Sequence, residues 1–274
     1  MEKNFKGKVI YNPSGKAGEY SYWAANFYVG CSNGCTYCYC KKGILATAMG
    51  QDKPQLKKCF KDEDEAIKVF VNELRQNIDE LRKHGIFFSF TTDPMLPETI
   101  KLTSRALNFC QIPFEEPIPV KILTKCTQWV DGFLNDYKQI FDIDHPDKIA
   151  FGFTLTGHDE LEPGASTNYD RIRAARKLKN AGFRIFFSIE PIIDFDSSLE
   201  MIINSFDFCD LFKIGLKSGE KYSLLELKDF VREVIRICEF NKIYFKDSLL
   251  KEARIKRHEL PENCVGRDYN MFKN

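Results

Sequence analysis

Little in this sequence is extreme, and its absences narrow the reading. No run of about 18 apolar residues occurs, so no membrane-spanning helix is expected. The chain opens M-E-K-N-F-K-G-K without an apolar core segment, so no secretory leader is expected. A reducing, cytoplasmic setting then fits its thiols better than a disulfide framework. Neither sign of charge dominates: 40 basic residues face 39 acidic ones, a formal net charge of +1. That balance does not announce a nucleic-acid binder, although a local basic surface stays open. There is no internal repeat and no low-complexity tract.

What is present suits one sizeable α/β unit. The 274 residues are 43% hydrophobic and include 24 Phe. Short runs rich in Phe, Ile and Val read as buried parallel strands: Ile86–Phe90, Ile118–Leu123, Ile149–Leu155, Arg184–Ile189, Phe208–Ile214 and Lys242–Phe245, with another around Tyr22–Val29. Between them apolar residues recur at helical spacing. One series is Ile67, Phe70, Val71, Leu74, Ile78 and Leu81; others are Ile172, Ala175 and Leu178, and Leu224 through Cys238. Gly85 and Gly182 mark helix ends. Alternating strands and helices predict a parallel sheet with right-handed crossovers, hence an open TIM-type (β/α)6 barrel. A doubly wound sheet is the runner-up. The barrel is expected over residues 1–247 with an N-terminal extension, and residues 248–274 as a tail on or near it. Lys251, Arg254, Lys256, Arg257 and His258 in that tail read as a solvated helix face. Residues 40–61, polar and poorly periodic, read as a loop or short helices.

The most informative feature is a short loop with Cys31, Cys35 and Cys38 in a C-x3-C-x2-C spacing. Three thiolates leave one iron of a four-iron cluster without a protein ligand, and that iron can take part in chemistry. Structural zinc needs a fourth ligand, which would fall to Cys40 or the distant Cys59. A metal-binding or electron-transfer protein without catalysis is therefore the second reading.

The run from Ala25 to Tyr39, with Y-V-G-C-S-N-G-C-T-Y-C-Y at its centre, closely resembles the N-terminal motif of radical SAM enzymes. More narrowly, it resembles the branch related to spore photoproduct lyase. The resemblance continues in Thr91-Thr92-Asp93-Pro94, Leu123-Thr124-Lys125, Thr154-Leu155-Thr156 and Ser188-Ile189-Glu190-Pro191. It implies a [4Fe–4S] cluster on Cys31, Cys35 and Cys38, with S-adenosylmethionine chelating the fourth iron. Reductive cleavage would then yield a 5′-deoxyadenosyl radical that takes a hydrogen atom from a substrate. A flavodoxin- or ferredoxin-type reductant and lyase-like chemistry on DNA are implied with it.

Polar residues stand at five predicted strand ends, where α/β barrels place functional groups. By resemblance, Thr91, Thr92 and Asp93 lie where the methionyl amine binds. Lys125 would pair with the methionyl carboxylate, Ser188 and Glu190 would meet ribose or amine, and Tyr37 would pack beside cluster and adenine. Lys213 is a weaker candidate. Cys126 is the candidate hydrogen-atom donor, with Cys40 and Cys59 behind it. Glu162-Pro163-Gly164-Ala165 and the arginines 171, 173 and 176 resemble a family segment. They read more simply as the cap and solvated face of a helix. His145 and His158 receive no role. Asp93-Pro94-Met95-Leu96-Pro97 departs from the branch's more usual D-P-Y-Q-P, which leaves the substrate open.

Overall fold

The computed structural model describes residues 4–111, 116–140 and 145–273. Ten strands form: β1 (Ile10–Tyr11), β2 (Ala24–Ala25), β3 (Tyr28–Val29), β4 (Gln55–Leu56), β5 (Ile86–Phe88), β6 (Val120–Thr124), β7 (Ile149–Thr154), β8 (Arg184–Ile192), β9 (Leu211–Leu216) and β10 (Lys242–Phe245). Eight of them make one sheet in the order β1-β2-β5-β6-β7-β8-β9-β10. From β2 to β10 every pairing is parallel, and β1 lies antiparallel on the β2 edge. β1 and β10 do not pair, so the barrel is open, as expected.

Helices α1 (Ile44–Met49), α2 (Glu63–Gln76), α3 (Ile78–His84), α4 (Ile100–Gln111), α5 (Val130–Ile140), α6 (Asn168–Asn180), α7 (Phe195–Ile203), α8 (Leu224–Ile237) and α9 (Asp247–Ala253) complete the chain. The first apolar series is two helices rather than one. They part at Asn77, whose side chain donates to the Glu73 carbonyl and competes with the helical ladder. The loop after the cysteines holds the short helix α1, as its broken periodicity predicts, and also β4, which pairs antiparallel with β3 and was not expected.

Strand alternation separates two cores. Phe88, Ile122, Phe151, Ile185, Phe187 and Phe212 point outward under the helices. The inward set includes Phe87, Ala150, Phe186, Leu211 and Tyr244. Inside, Phe186 lies against Gly152, where an added Cβ would sit 2.1 Å from its ring. Met271 and Phe272 join this inner core, so the chain's last turn closes the barrel from within. Phe272→Ala is expected to cost about 3 kcal/mol in urea unfolding, the lower range for a buried Phe. Of the tail's charges, Lys251, Arg254, Lys256 and His258 are exposed. Arg257 departs from the solvated reading: it donates to the carbonyls of Val265 and Phe245 and pairs with Asp247 at 2.7 Å.

Candidate active site

The carboxyl ends of the parallel strands surround a cavity of about 420 Å³. Cys31, Cys35 and Cys38 all face it, each a free thiol. Their loop is bent by glycines that no other residue could replace without strain. Gly30 has φ +80°, and a Cβ there would meet the Lys53 carbonyl oxygen at 2.4 Å. Gly34 has φ +67° and lies against Pro163. From behind, the loop is stitched to the segment after β7. The Thr36 amide donates to Leu161 O at 3.0 Å, and the Gly164 amide donates to Asn33 O at 3.0 Å.

Asp93 ties this loop to the strand ends. One carboxylate oxygen accepts from Thr124 Oγ1 (2.7 Å) and the Met95 amide (3.0 Å). The other accepts from Asn33 Nδ2 (2.8 Å) and the Lys125 amide (2.7 Å). Four donors occupy a carboxylate's usual acceptor capacity. Asp93 thus positions the loop, whereas the sequence reading gives it to an incoming amine. Thr91 Oγ1 donates to Tyr28 O at 2.5 Å. Thr92 Oγ1 and Asn33 Oδ1 are buried on the cavity wall with no hydrogen-bond partner. Such atoms are costly unless a ligand satisfies them.

Lys125 stands over the Tyr37 ring, 5.4 Å from its centroid, and 3.8 Å from Glu162 Oε1. Glu162 is fully buried, accepts from the Tyr37 hydroxyl, and lies 2.6 Å from Nη2 of the equally buried Arg171. That last contact is ionic, since neither atom has an aligned hydrogen bond. Arg171 Nη1 donates to Thr154 O at the end of β7. The simpler sequence reading of this pair, as helix cap and solvated face, is therefore corrected. Arg173 and Arg176 do face solvent, paired with Asp170 and Asp207.

On the opposite wall, Glu190 faces the cavity, 2.7 Å from Lys246 Nζ, and accepts from the Tyr20 hydroxyl. Ser188 shares that hydroxyl at 2.5 Å and does not reach the cavity wall. Lys213 lies deeper, donating to Glu19 O. Tyr20 and Lys246 carry no sequence signal beyond single polar positions: Tyr20 comes from the turn between β1 and β2, and Lys246 directly follows β10.

Burial pushes the Cys31 thiol up to about 12, with Asp93 adding to it, and burial also raises Cys35. Cys38 is pulled down to about 6, chiefly by a hydrogen bond from Cys40. Metal ligation needs all three as thiolates, so bound cations would have to supply the missing charge stabilisation. Among the described residues, no three His, Cys, Asp or Glu side chains gather to hold a single ion. A [4Fe–4S] cube takes each thiolate on a different iron, so three sulfurs spread round one cavity suit it.

The Radical SAM superfamily matches residues 25–209 of the chain. The chain belongs to this superfamily. A radical SAM enzyme brings a [4Fe–4S] cluster and S-adenosylmethionine with it, and the thiols and orphaned polar atoms above fit that pair. Among solved structures, a substituted spore photoproduct lyase with bound AdoMet and dinucleoside spore photoproduct is similar in fold. Its TM-score is 0.55 at 19% identity, covering 84% of this chain and 64% of that one. Streptococcus suis SuiB bound to S-adenosylmethionine is similar at TM-score 0.53 and 16% identity, covering 89% of this chain and 50% of that one. The chain thus spans only half to two-thirds of these proteins' length. No curated protein matches it. No helix among the described residues is long and apolar enough to cross a membrane.

Within this radical SAM site, Cys126 is not on the cavity wall. It packs in the outer core, its amide bonded to Thr124 Oγ1 at 2.9 Å. Cys40, by contrast, faces the cavity, and Cys59 is exposed elsewhere. Cys126→Ala is expected to leave S-adenosylmethionine cleavage within about twofold of the parent, measured as nucleoside formed under reduction.

Proposed function

We propose that this radical SAM enzyme binds a [4Fe–4S] cluster through Cys31, Cys35 and Cys38 and works by hydrogen-atom abstraction. The observation that carries this is the set of three free thiols from one glycine-bent loop facing a single cavity, with orphaned polar groups beside them. Reduced with S-adenosylmethionine bound, the cluster supplies a 5′-deoxyadenosyl radical. The chain's own residues bind, orient and exclude water. Lys125, the half-buried cation of the cluster wall, pairs with the methionyl carboxylate. Thr92 Oγ1 and Asn33 Oδ1 hydrogen-bond the methionyl end, and Asp93 keeps the loop in register with β6. Tyr37, fixed by Glu162, packs beside the cluster. Glu190 meets the ribose hydroxyls from the far wall.

The electron comes from a flavodoxin- or ferredoxin-type reductant in this reading. Likeness to spore photoproduct lyase, whose structure holds a dinucleoside photoproduct, supports lyase-like chemistry on DNA as the first substrate test. Anaerobic reconstitution tests the cofactor assignment. About four irons per chain and a reduced-cluster EPR signal altered by S-adenosylmethionine are expected. Stoichiometric zinc, or a signal indifferent to S-adenosylmethionine, would sink it.

A further inference from the structure

The cavity has a second charged region, made by residues not assigned above to the cofactors. Lys125, on the cluster side, follows β6. Three strands further along the sheet, roughly 14 Å at ordinary strand spacing, the loop after β9 brings Lys217 and Ser218 to the rim. Lys16, from the segment between β1 and β2, and Lys42, from the loop before α1, reach the same cavity wall. Three distant stretches of sequence therefore place a lysine at one mouth.

These groups are positioned to receive a ligand. Lys16 Nζ donates to Ser218 Oγ at 2.8 Å and pairs with no carboxylate among the described residues. Lys42 is exposed and has no ion-pair partner among them. Lys217 pairs with Glu220 at 2.8 Å, but that carboxylate is half exposed. Exposed pairs contribute about 0–1 kcal/mol, so an anion can displace it. Gly219 turns the loop at φ +88°. The amides of Ser218 and Gly219 have no acceptor among the described residues. The nearby acids are Glu220, on this loop, and Asp52, which is paired with Lys41. Glu190 faces the cavity from the opposite wall and is already paired with Lys246 and bonded by the Tyr20 hydroxyl.

We propose that Lys16, Lys42, Lys217 and Ser218 form a phosphoryl-binding subsite, and that the substrate presents a phosphate here while its reacting carbon lies deeper. A carboxylate would use one of these lysines. A phosphoryl group offers three oxygens to ammonium, hydroxyl and amide donors together. Loops after late strands are also where α/β barrels commonly hold phosphate. The proposal rests on the preceding reading only in taking this cavity as the place of reaction.

The test is binding to the full chain, with the cluster reconstituted and again without it. The probes are inorganic phosphate, thymidine monophosphate and a short single-stranded DNA, titrated at two salt concentrations. Salt-sensitive binding is expected, and the Lys16→Ala/Lys217→Ala chain should bind about tenfold or more weakly. Lys16→Arg/Lys217→Arg should restore it. Preference for the mononucleotide or the oligomer identifies the source of the phosphate. No binding by any probe, or binding indifferent to the double substitution, overturns the subsite. Either result leaves the cofactor assignment standing. Failure to take up iron would count against that assignment alone, because binding is also read without the cluster.

Discussion

An Arg171→Met chain is expected to lose about 3–5 kcal/mol of stability, among the largest losses a single side chain here can cause. Both Arg171 and Glu162 are fully buried, 2.6 Å apart. Taking away the guanidinium leaves a carboxylate in the interior with only the Tyr37 hydroxyl and a more distant ammonium, Lys125 at 3.8 Å. The cost is that of a stranded charge, not of one lost contact. Urea unfolding reads it. A second substitution, Glu162→Leu in the Arg171→Met background, should recover much of the loss by removing that charge. A single variant within about 1 kcal/mol of the parent would contradict the buried-pair account. The stabilised double variant should still bind S-adenosylmethionine poorly, since Tyr37 and Lys125 lose their common anchor.

Replacing any one of Cys31, Cys35 or Cys38 by Ala is expected to bring S-adenosylmethionine cleavage to background. With two thiolates the cluster has two irons without protein ligands, and a cube so held is readily lost. The effect should be equal at the three positions, because each thiolate holds a different iron. Cys40→Ala separates the assignment from a general need for thiols. Cys40 faces the same cavity, yet the C-x3-C-x2-C set is complete without it. Iron content should therefore persist in Cys40→Ala and fall in the other three, measured after identical anaerobic reconstitution. Equal loss in all four would assign Cys40 to the metal site.

Periodicity made most of the barrel legible. Runs of Phe, Ile and Val located six of the parallel strands, and Gly85 and Gly182 did end their helices. The break at Asn77 was hidden because the apolar spacing continues across it, while the side chain that ends α2 is decided by one local hydrogen bond. The inner plug of Met271 and Phe272 was hidden for a different reason. Two apolar residues at the end of a polar tail have no period to read. Glu73 was equally silent. It lies on α2 between Asn72 and Leu74, and its carboxylate accepts from the amides of Lys8, Val9 and Ile10, partners 63 to 65 residues away that no local pattern announces.

In the site, the cysteine spacing and the polar strand ends were legible, but the division of labour among them was not. Asp93 looks like a ligand for an amine until its four donors are counted. Ser188 alternates correctly to point inward, but Tyr20 lies between it and the cavity. Arg171 resembles its exposed neighbours Arg173 and Arg176 in sequence. Its spacing carries a signal that the sequence reading misses: Arg171 precedes Ala175 and Leu178 by four and seven residues and so shares their buried face of α6, while Arg173 and Arg176 fall outside it.

The most direct test of the central claim is the formation of 5′-deoxyadenosine by the reconstituted, reduced chain supplied with S-adenosylmethionine. The account predicts nucleoside formation that requires Cys31, Cys35 and Cys38 together and does not require Cys126. A fully iron-loaded chain that forms no 5′-deoxyadenosine under reduction, with or without irradiated DNA, would contradict it.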